Sequence, residues 1–223
     1  MIERNHAGKQ LFRRHREPLS LQVTEIVDQL LAIAALFLLC LSGASWAQAP
    51  ADAQNRAWDL GVWVAGQTGE ENTNSFAEAQ ILSGGMFVGK ILTNETGSAW
   101  RRGRFEYAFD VFPLFIQFTP QRLYGGGFEP VILRWNSSLR LIAAKPYLEL
   151  AGGAVRTNSN LPAGNTSDFN FTARGGGGIR VFLAKRRYVD IGCRWSHISN
   201  ANLGVRNTEF NGVQVSVGYH WLK

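Results

Sequence analysis

Apolar and polar residues alternate one by one along much of this chain. In one stretch, Phe105, Tyr107 and Phe109 alternate with Glu106 and Asp110. Successive side chains of an extended strand point to opposite faces, so this period of two predicts strands with one apolar and one polar face. After residue 49 the sequence has no segment with the helical period of 3.6 residues.

Eight such segments follow one another, separated by polar residues and glycines that are typical of turns. They span residues 57–68, 77–93, 101–115, 122–136, 144–157, 168–184, 187–199 and 211–222. An even number of similar strands in succession is typical of up-and-down barrels. The pattern therefore predicts an all-β fold, an eight-stranded antiparallel β-barrel formed by residues 50–223.

The two faces of these strands indicate a membrane barrel. In a transmembrane barrel the apolar face meets lipid and the polar face lines the lumen. Eight strands enclose a lumen that side chains fill, and charges buried there must be paired. We expect Phe171, Val181 and Trp195 to face lipid. We expect the following charged residues to lie inside: Glu106, Asp110, Arg134, Glu149, Arg174, Arg180, Asp190 and Arg194. The alternative is a soluble β-sandwich or lipocalin-like barrel, with the apolar face inward.

The longest apolar run lies before the first predicted strand, at residues 30–41. It is shorter than the roughly 20 residues of a transmembrane helix, and Ala47-x-Ala49 follows it as a signal-peptidase-like site. We therefore predict that residues 1–49 are a signal peptide with a long polar leading region, and that the chain is exported to the cell outer membrane. An uncleaved signal anchor is the alternative.

Composition and charge favour a membrane surface over nucleic acid as the partner. Charged residues make up 18% of the chain, below the roughly 25% of soluble proteins. The net charge is +6, and residues 50–223 keep +5 of it. The sequence has no block of Lys and Arg and no nucleic-acid motif, so anionic lipid headgroups are the expected partner. Cys193 is the single cysteine after residue 49, which excludes an internal disulfide there.

The lengths of the predicted connections indicate an orientation in the membrane. Residues 185–186 form a very short link, whereas residues 69–76, 158–167 and 200–210 form longer ones. Outer-membrane barrels have short periplasmic turns and longer extracellular loops. We therefore expect the seventh strand to run outward and to end near the outer leaflet.

Candidate catalytic chemistry lies at the end of that seventh strand. His197 and Ser199 are two residues apart, so their side chains share one face of the strand. A histidine base beside a hydroxyl nucleophile is the minimum requirement for acyl transfer. Ile191, Cys193 and Trp195 have the same parity, which puts the pair on the apolar face and suggests a lipid substrate. The sequence has no group of His, Cys, Asp and Glu with metal-ligand spacing.

These residues resemble a known family, the outer-membrane lipid A 3-O-deacylases of the PagL type, also described as acyloxyacyl hydrolase-like. The resemblance rests on His197-x-Ser199-Asn200, then Asn207, Asn211-Gly212 and Gly218-Tyr219-His220-Trp221. It implies a carboxylic ester hydrolase that removes an acyl chain from the lipid A of lipopolysaccharide in the outer leaflet, without metal or cofactor.

The resemblance also implies roles for individual residues. Ser199 would be the nucleophile and His197 its base, with Asn200 and Asn207 holding the site or forming an oxyanion hole. One residue departs from the family pattern, because Asn211 stands where an acid is expected, twelve residues after the serine. An asparagine can orient an imidazole but cannot stabilise an imidazolium by charge.

Two questions stay open at this point. Glu209 is the alternative orienter of His197, two residues before Asn211. A non-catalytic small outer-membrane barrel, structural or adhesive, is the alternative function.

Overall fold

The computed structural model describes residues 54–69, 79–141, 144–161 and 166–223. These residues form eight strands that pair in chain order as a closed antiparallel barrel, which confirms the predicted fold class. The strands are β1 (Trp58–Gly69), β2 (Gln80–Ile91), β3 (Gly103–Thr119), β4 (Leu123–Ser137), β5 (Ala144–Leu161), β6 (Ser167–Ala184), β7 (Arg187–Ser199) and β8 (Phe210–Leu222). The predicted signal segment, 1–49, lies outside the described residues. Within the described ranges, no helix is long and apolar enough to cross a membrane.

The barrel closes where the first strand pairs with the last. β1 and β8 form an antiparallel ladder that runs from Asp59 opposite Leu222 to Gly69 opposite Gly212. Closure leaves no strand edge with unpaired backbone groups, and in hydrocarbon each unpaired group would cost several kcal/mol.

Burial alternates along the strands as the sequence pattern predicts. In β3, Tyr107 and Phe109 are exposed on the outer surface, while Glu106 and Asp110 are buried in the lumen. All eight charged residues expected inside are buried, and Phe171 and Trp195 are exposed on the outer surface. The charged face of the strands is therefore inward, which contradicts the alternative of a soluble barrel with the apolar face inward.

Val181 is the exception to the expected outer surface. Its position in β6 has the same parity as Phe171, but only 9% of the residue is exposed. Its partner in β7 is Val189, which is buried as well. The prediction that Val181 faces lipid was therefore wrong, because parity decides which side of the wall a side chain lies on and not whether that side is covered.

The lumen contains ion pairs and hydrogen bonds, with clusters of buried apolar side chains packed beside them. Glu149 accepts from Arg134 at 2.5 Å and from Arg194 at 2.7 Å, so one carboxylate bridges two guanidinium groups. Arg174 forms an ion pair with Glu129. Since these groups are removed from water, their mutual contacts offset the cost of burying charge.

Two inward-facing glycines of β6 make room for this network. A Cβ atom built on Gly176 would lie 2.7 Å from Cα of Arg194, and one built on Gly178 would lie 2.8 Å from Cε1 of Tyr147. Real Cβ atoms do not approach other atoms so closely. The glycines therefore let the neighbouring wall and the Tyr147 ring come close, as expected for a crowded barrel interior.

The connections do not separate the two barrel ends by length as cleanly as the sequence suggests. At the end where β7 finishes, the links 70–79 and 200–209 are long, but 120–122 has three residues. At the opposite end, 185–186 is a two-residue turn, whereas 92–102 is long and contains a short 3₁₀ helix, Ala99–Arg101. Orientation in the membrane therefore stays a prediction.

The buried ion-pair network yields a stability prediction. Glu149→Gln removes the charge that Arg134 and Arg194 share, and uncompensated buried charge typically costs about 3–5 kcal/mol. We expect the free energy of unfolding in detergent micelles to fall by about that amount, measured by urea titration.

The matched control is Asp168→Asn, which removes the acid of an exposed ion pair with Arg156 at 3.2 Å. Pairs in contact with solvent contribute about 0–1 kcal/mol. Equal effects of the two substitutions would contradict a lumen held together by paired buried charges.

Candidate functional site

Two adjacent strands bring the predicted catalytic side chains together. His197 and Ser199 lie at the end of β7 and project to its outward face, because they are two residues apart. Asn211 lies near the start of β8 and is the cross-strand partner of His197. Directly opposed residues of an antiparallel pair have their side chains on the same face within contact distance.

The three side chains form a continuous hydrogen-bonded chain. His197 Nδ1 lies 2.7 Å from Asn211 Oδ1, and His197 Nε2 lies 2.9 Å from Ser199 Oγ. Since a carbonyl oxygen only accepts, Nδ1 carries the ring proton in this arrangement. Nε2 then has a lone pair directed at the Ser199 hydroxyl, which is the geometry that a general base needs.

Glu209 is the next member of this chain. Asn211 Nδ2 donates to Glu209 Oε2 at 3.2 Å. The two candidates for orienting His197 are thus arranged in series, with Asn211 in contact with the imidazole and Glu209 behind Asn211. Sequence spacing could not distinguish this arrangement from direct contact of Glu209 with His197.

Asn200 and Asn207 organise the loop that joins β7 to β8. Asn200 is fully buried, and its Nδ2 donates to the Arg206 carbonyl at 2.8 Å while its Oδ1 accepts from the Asn202 backbone N–H at 2.9 Å. Asn207 Oδ1 accepts from the Asn200 backbone N–H at 3.2 Å. The loop turns through positive φ at Ala201 and Asn202. These asparagines therefore fix the path of the chain between Ser199 and Asn211.

Aromatic side chains on the outer surface flank the site. The Trp195 ring stacks on the His197 ring, with centroids 5.8 Å apart and planes 15° from parallel. Phe171 of β6 is the cross-strand partner of Ser199. The stacking of Trp195 on His197 was missed in the sequence, although the same period of two puts Trp195 on the face of His197.

The site combines buried polar groups with an accessible apolar rim. Asn211 is only 5% exposed, whereas Trp195 is 47% and Phe171 43% exposed. The His197–Ser199 pair thus lies on the outer face of the wall and not in the lumen. Among the described residues, no group of His, Cys, Asp and Glu is arranged to hold a metal ion.

Comparison with known proteins gives the family. The family model described as lipid A 3-O-deacylase (PagL) matches residues 85–220, a span that includes the site and most of the barrel. The chain belongs to this family. None of the curated proteins compared with the chain matches it.

The chain is similar to several solved structures. The crystal structure of the outer-membrane enzyme PagL has a TM-score of 0.51 with 15% sequence identity, over 72% of this chain and 97% of PagL. Neisserial surface protein A is similar with a TM-score of 0.49 and 16% identity, over 81% of this chain and 99% of that one. OprG from Pseudomonas aeruginosa has a TM-score of 0.46 and 10% identity, over 76% and 97%.

Family membership and fold together make this chain an outer-membrane protein, which confirms the predicted localisation and the resemblance to lipid A 3-O-deacylases. Identities of this size carry information on fold alone. The activity of this PagL-family member has to be inferred from its own site residues.

The loop hydrogen bonds yield a second prediction. Asn200→Ala removes two side-chain hydrogen bonds within residues 200–206, each worth about 1 kcal/mol. We expect backbone amide exchange in this loop to become about 10-fold faster while exchange in the strands stays unchanged, measured by mass spectrometry on detergent-purified barrel.

Leu203→Ala is the control, because Leu203 lies in the same loop with its side chain largely exposed. Unchanged protection in Asn200→Ala would mean that other contacts hold the loop.

Proposed function

We propose that this chain hydrolyses an acyl ester of lipid A, with Ser199 as nucleophile, His197 as general base and Asn211 as the group that orients His197. The observation that carries the proposal is the 2.9 Å contact between Ser199 Oγ and the unprotonated Nε2 of His197. Membership of the lipid A 3-O-deacylase family supports this reaction class.

The geometry supports a two-step acyl transfer. His197 Nε2 takes the proton of Ser199 Oγ as the oxygen attacks the ester carbonyl, and the imidazolium then gives that proton to the departing sugar oxygen. The acyl group is left on Ser199. A water molecule, deprotonated by His197, attacks this second ester and releases a fatty acid, which restores both side chains.

The position of the pair supports a lipid substrate. An ester bound at Ser199 has its acyl chain beside the outer wall, where Phe171 and Trp195 offer apolar surface. The polar part of the substrate then lies at the barrel end, beside the loop 200–209. For lipopolysaccharide, which occupies the outer leaflet, this requires β7 to end on the outer side of the membrane.

For Asn200, a role in holding the loop 200–209 is better supported than a role as an oxyanion donor. Both ends of its amide and its backbone N–H already bond within the loop. An oxyanion donor must be directed at the position where charge develops, and these donors are directed at the chain itself.

The presence of Asn211 in the place of an acid favours a second candidate function, a barrel without catalytic activity. Replacing the acid of a serine triad by its amide costs about 10⁴ in turnover in a well-studied protease. The same contacts would then persist as structure alone. Turnover by the wild-type protein decides between the two functions.

Ser199→Ala and His197→Ala should each abolish acyl release from purified lipopolysaccharide in detergent micelles. The double variant should lose no more than either single one, because the two residues act as one unit. Retention of heat-modifiable gel mobility would verify that each variant is folded.

The matched control is Ser196→Ala, since Ser196 lies on the same strand but is buried on the lumen side. It should keep wild-type turnover. Full activity in Ser199→Ala would exclude this site, and a folded wild type that is inert on lipopolysaccharide would favour the non-catalytic barrel.

A further inference from the structure

We infer that Glu209 is a positioning residue for the proposed reaction: its carboxylate fixes the orientation of the Asn211 amide, and the amide in turn fixes the proton position on His197. This inference rests on the proposed function. It gives a role to a contact that the Ser199–His197–Asn211 chain alone does not use, the bond from Asn211 Nδ2 to Glu209 Oε2 at 3.2 Å.

An asparagine amide can face its neighbours in two ways. Rotation by half a turn about χ2 exchanges Oδ1 and Nδ2 with little change in shape. Between two groups that each donate or accept, both orientations satisfy the hydrogen bonds. An ionised carboxylate only accepts, so Glu209 selects the orientation in which Nδ2 faces it.

That selection decides the tautomer of the imidazole. With Nδ2 toward Glu209, Oδ1 faces His197 Nδ1 at 2.7 Å and requires the proton there. In the reverse orientation Nδ2 would donate to Nδ1, and the proton of a neutral ring would move to Nε2. A protonated Nε2 cannot take the proton of Ser199, so the reverse orientation is inactive.

The backbone supports this arrangement. Glu209 and Asn211 are two residues apart in an extended segment at the entry to β8, so their side chains share one face. The loop held by Asn200 and Asn207 leads into Glu209. The carboxylate is therefore held beside the amide by the same hydrogen bonds that shape the loop.

Glu209 also compensates in part for the negative charge that an amide at position 211 lacks. A carboxylate hydrogen-bonded to an amide polarises it, which strengthens the bond that its oxygen accepts. The charge acts on His197 through one intervening group, so the electrostatic effect is weaker than that of a directly bound acid. Selection of the tautomer is therefore the main contribution that we assign to Glu209.

The first test is Glu209→Gln, which replaces an acceptor by a group that can also donate. The Asn211 amide is then no longer held in one orientation by a carboxylate. Because the reverse orientation is inactive, we expect kcat for acyl release to fall in proportion to the fraction of protein that adopts it, about twofold or more, while KM stays at the wild-type value. Asp168→Asn is the control, because it removes an exposed acid from an ion pair with Arg156 at 3.2 Å, and it should keep wild-type kcat.

Exchanging the carboxylate of residue 209 and the amide of residue 211 distinguishes a positioning role of Glu209 from a role in loop structure alone. In the double variant Glu209→Gln/Asn211→Asp, the carboxylate contacts His197 and the amide lies behind it. This variant should recover or exceed wild-type kcat. Asn211→Asp alone should be less active than the double variant, because two carboxylates would meet at the distance that now separates amide and acid. Failure of the double variant to improve on Glu209→Gln would overturn the inference.

A second readout does not depend on activity. Nitrogen-15 shifts of His197 in micelles, assigned by comparison with His197→Ala, report which ring nitrogen carries the proton. The wild type should be protonated at Nδ1, and Glu209→Gln should be a mixture. An unchanged tautomer in Glu209→Gln would overturn the inference even with an active enzyme. An inert wild type with the expected tautomer shift would overturn the proposed function and support the role of Glu209 in fixing the ring.

Discussion

The closed ladder of backbone hydrogen bonds is the constraint on which this structure depends. A chain that crosses hydrocarbon must satisfy every backbone N–H and C=O internally, and eight antiparallel strands do so once β1 pairs with β8. Closure then dictates the rest, because each strand has one face toward lipid and one toward a narrow lumen. The lumen has no room for bulk water, so its charges pair with one another, as Glu149 does with Arg134 and Arg194.

The same alternation makes the fold readable from the sequence. All eight strands were predicted, and their inward charges lie where parity puts them. Strand ends were less accurate: β3 extends to Thr119 and β5 to Leu161, several residues beyond the predicted bounds. Register shifts within β3, between Phe112 and Phe115, interrupt the simple alternation. Pro113 lies within that interval and marks the irregularity, because proline cannot donate to the ladder, but the size of the shift depends on the neighbouring strands.

The site was predictable in part, for a similar reason. The His197–Ser199 pair follows from period two alone, and the cross-strand contact with Asn211 follows from the antiparallel return of β8. The serial arrangement of Asn211 and Glu209 depends on the path of the loop 200–209. That path is set by hydrogen bonds between side chain and backbone, among them Asn200 to Arg206, which composition and periodicity do not encode.

An amide in the place of an acid is consistent with where this site lies. Asn211 is nearly buried in a wall whose outer face is apolar, and a carboxylate there would carry a desolvation cost that an amide avoids. Glu209 lies at the entry to β8, one step closer to the loop end, and is half-buried. With the carboxylate at position 209 and not at position 211, the Asn211 amide still has an acceptor. The desolvation cost of the carboxylate is then lower, because Glu209 is less buried. In the proposed reaction, the base would then have a well-defined proton position, but its imidazolium would receive less charge stabilisation than a directly bound acid would provide.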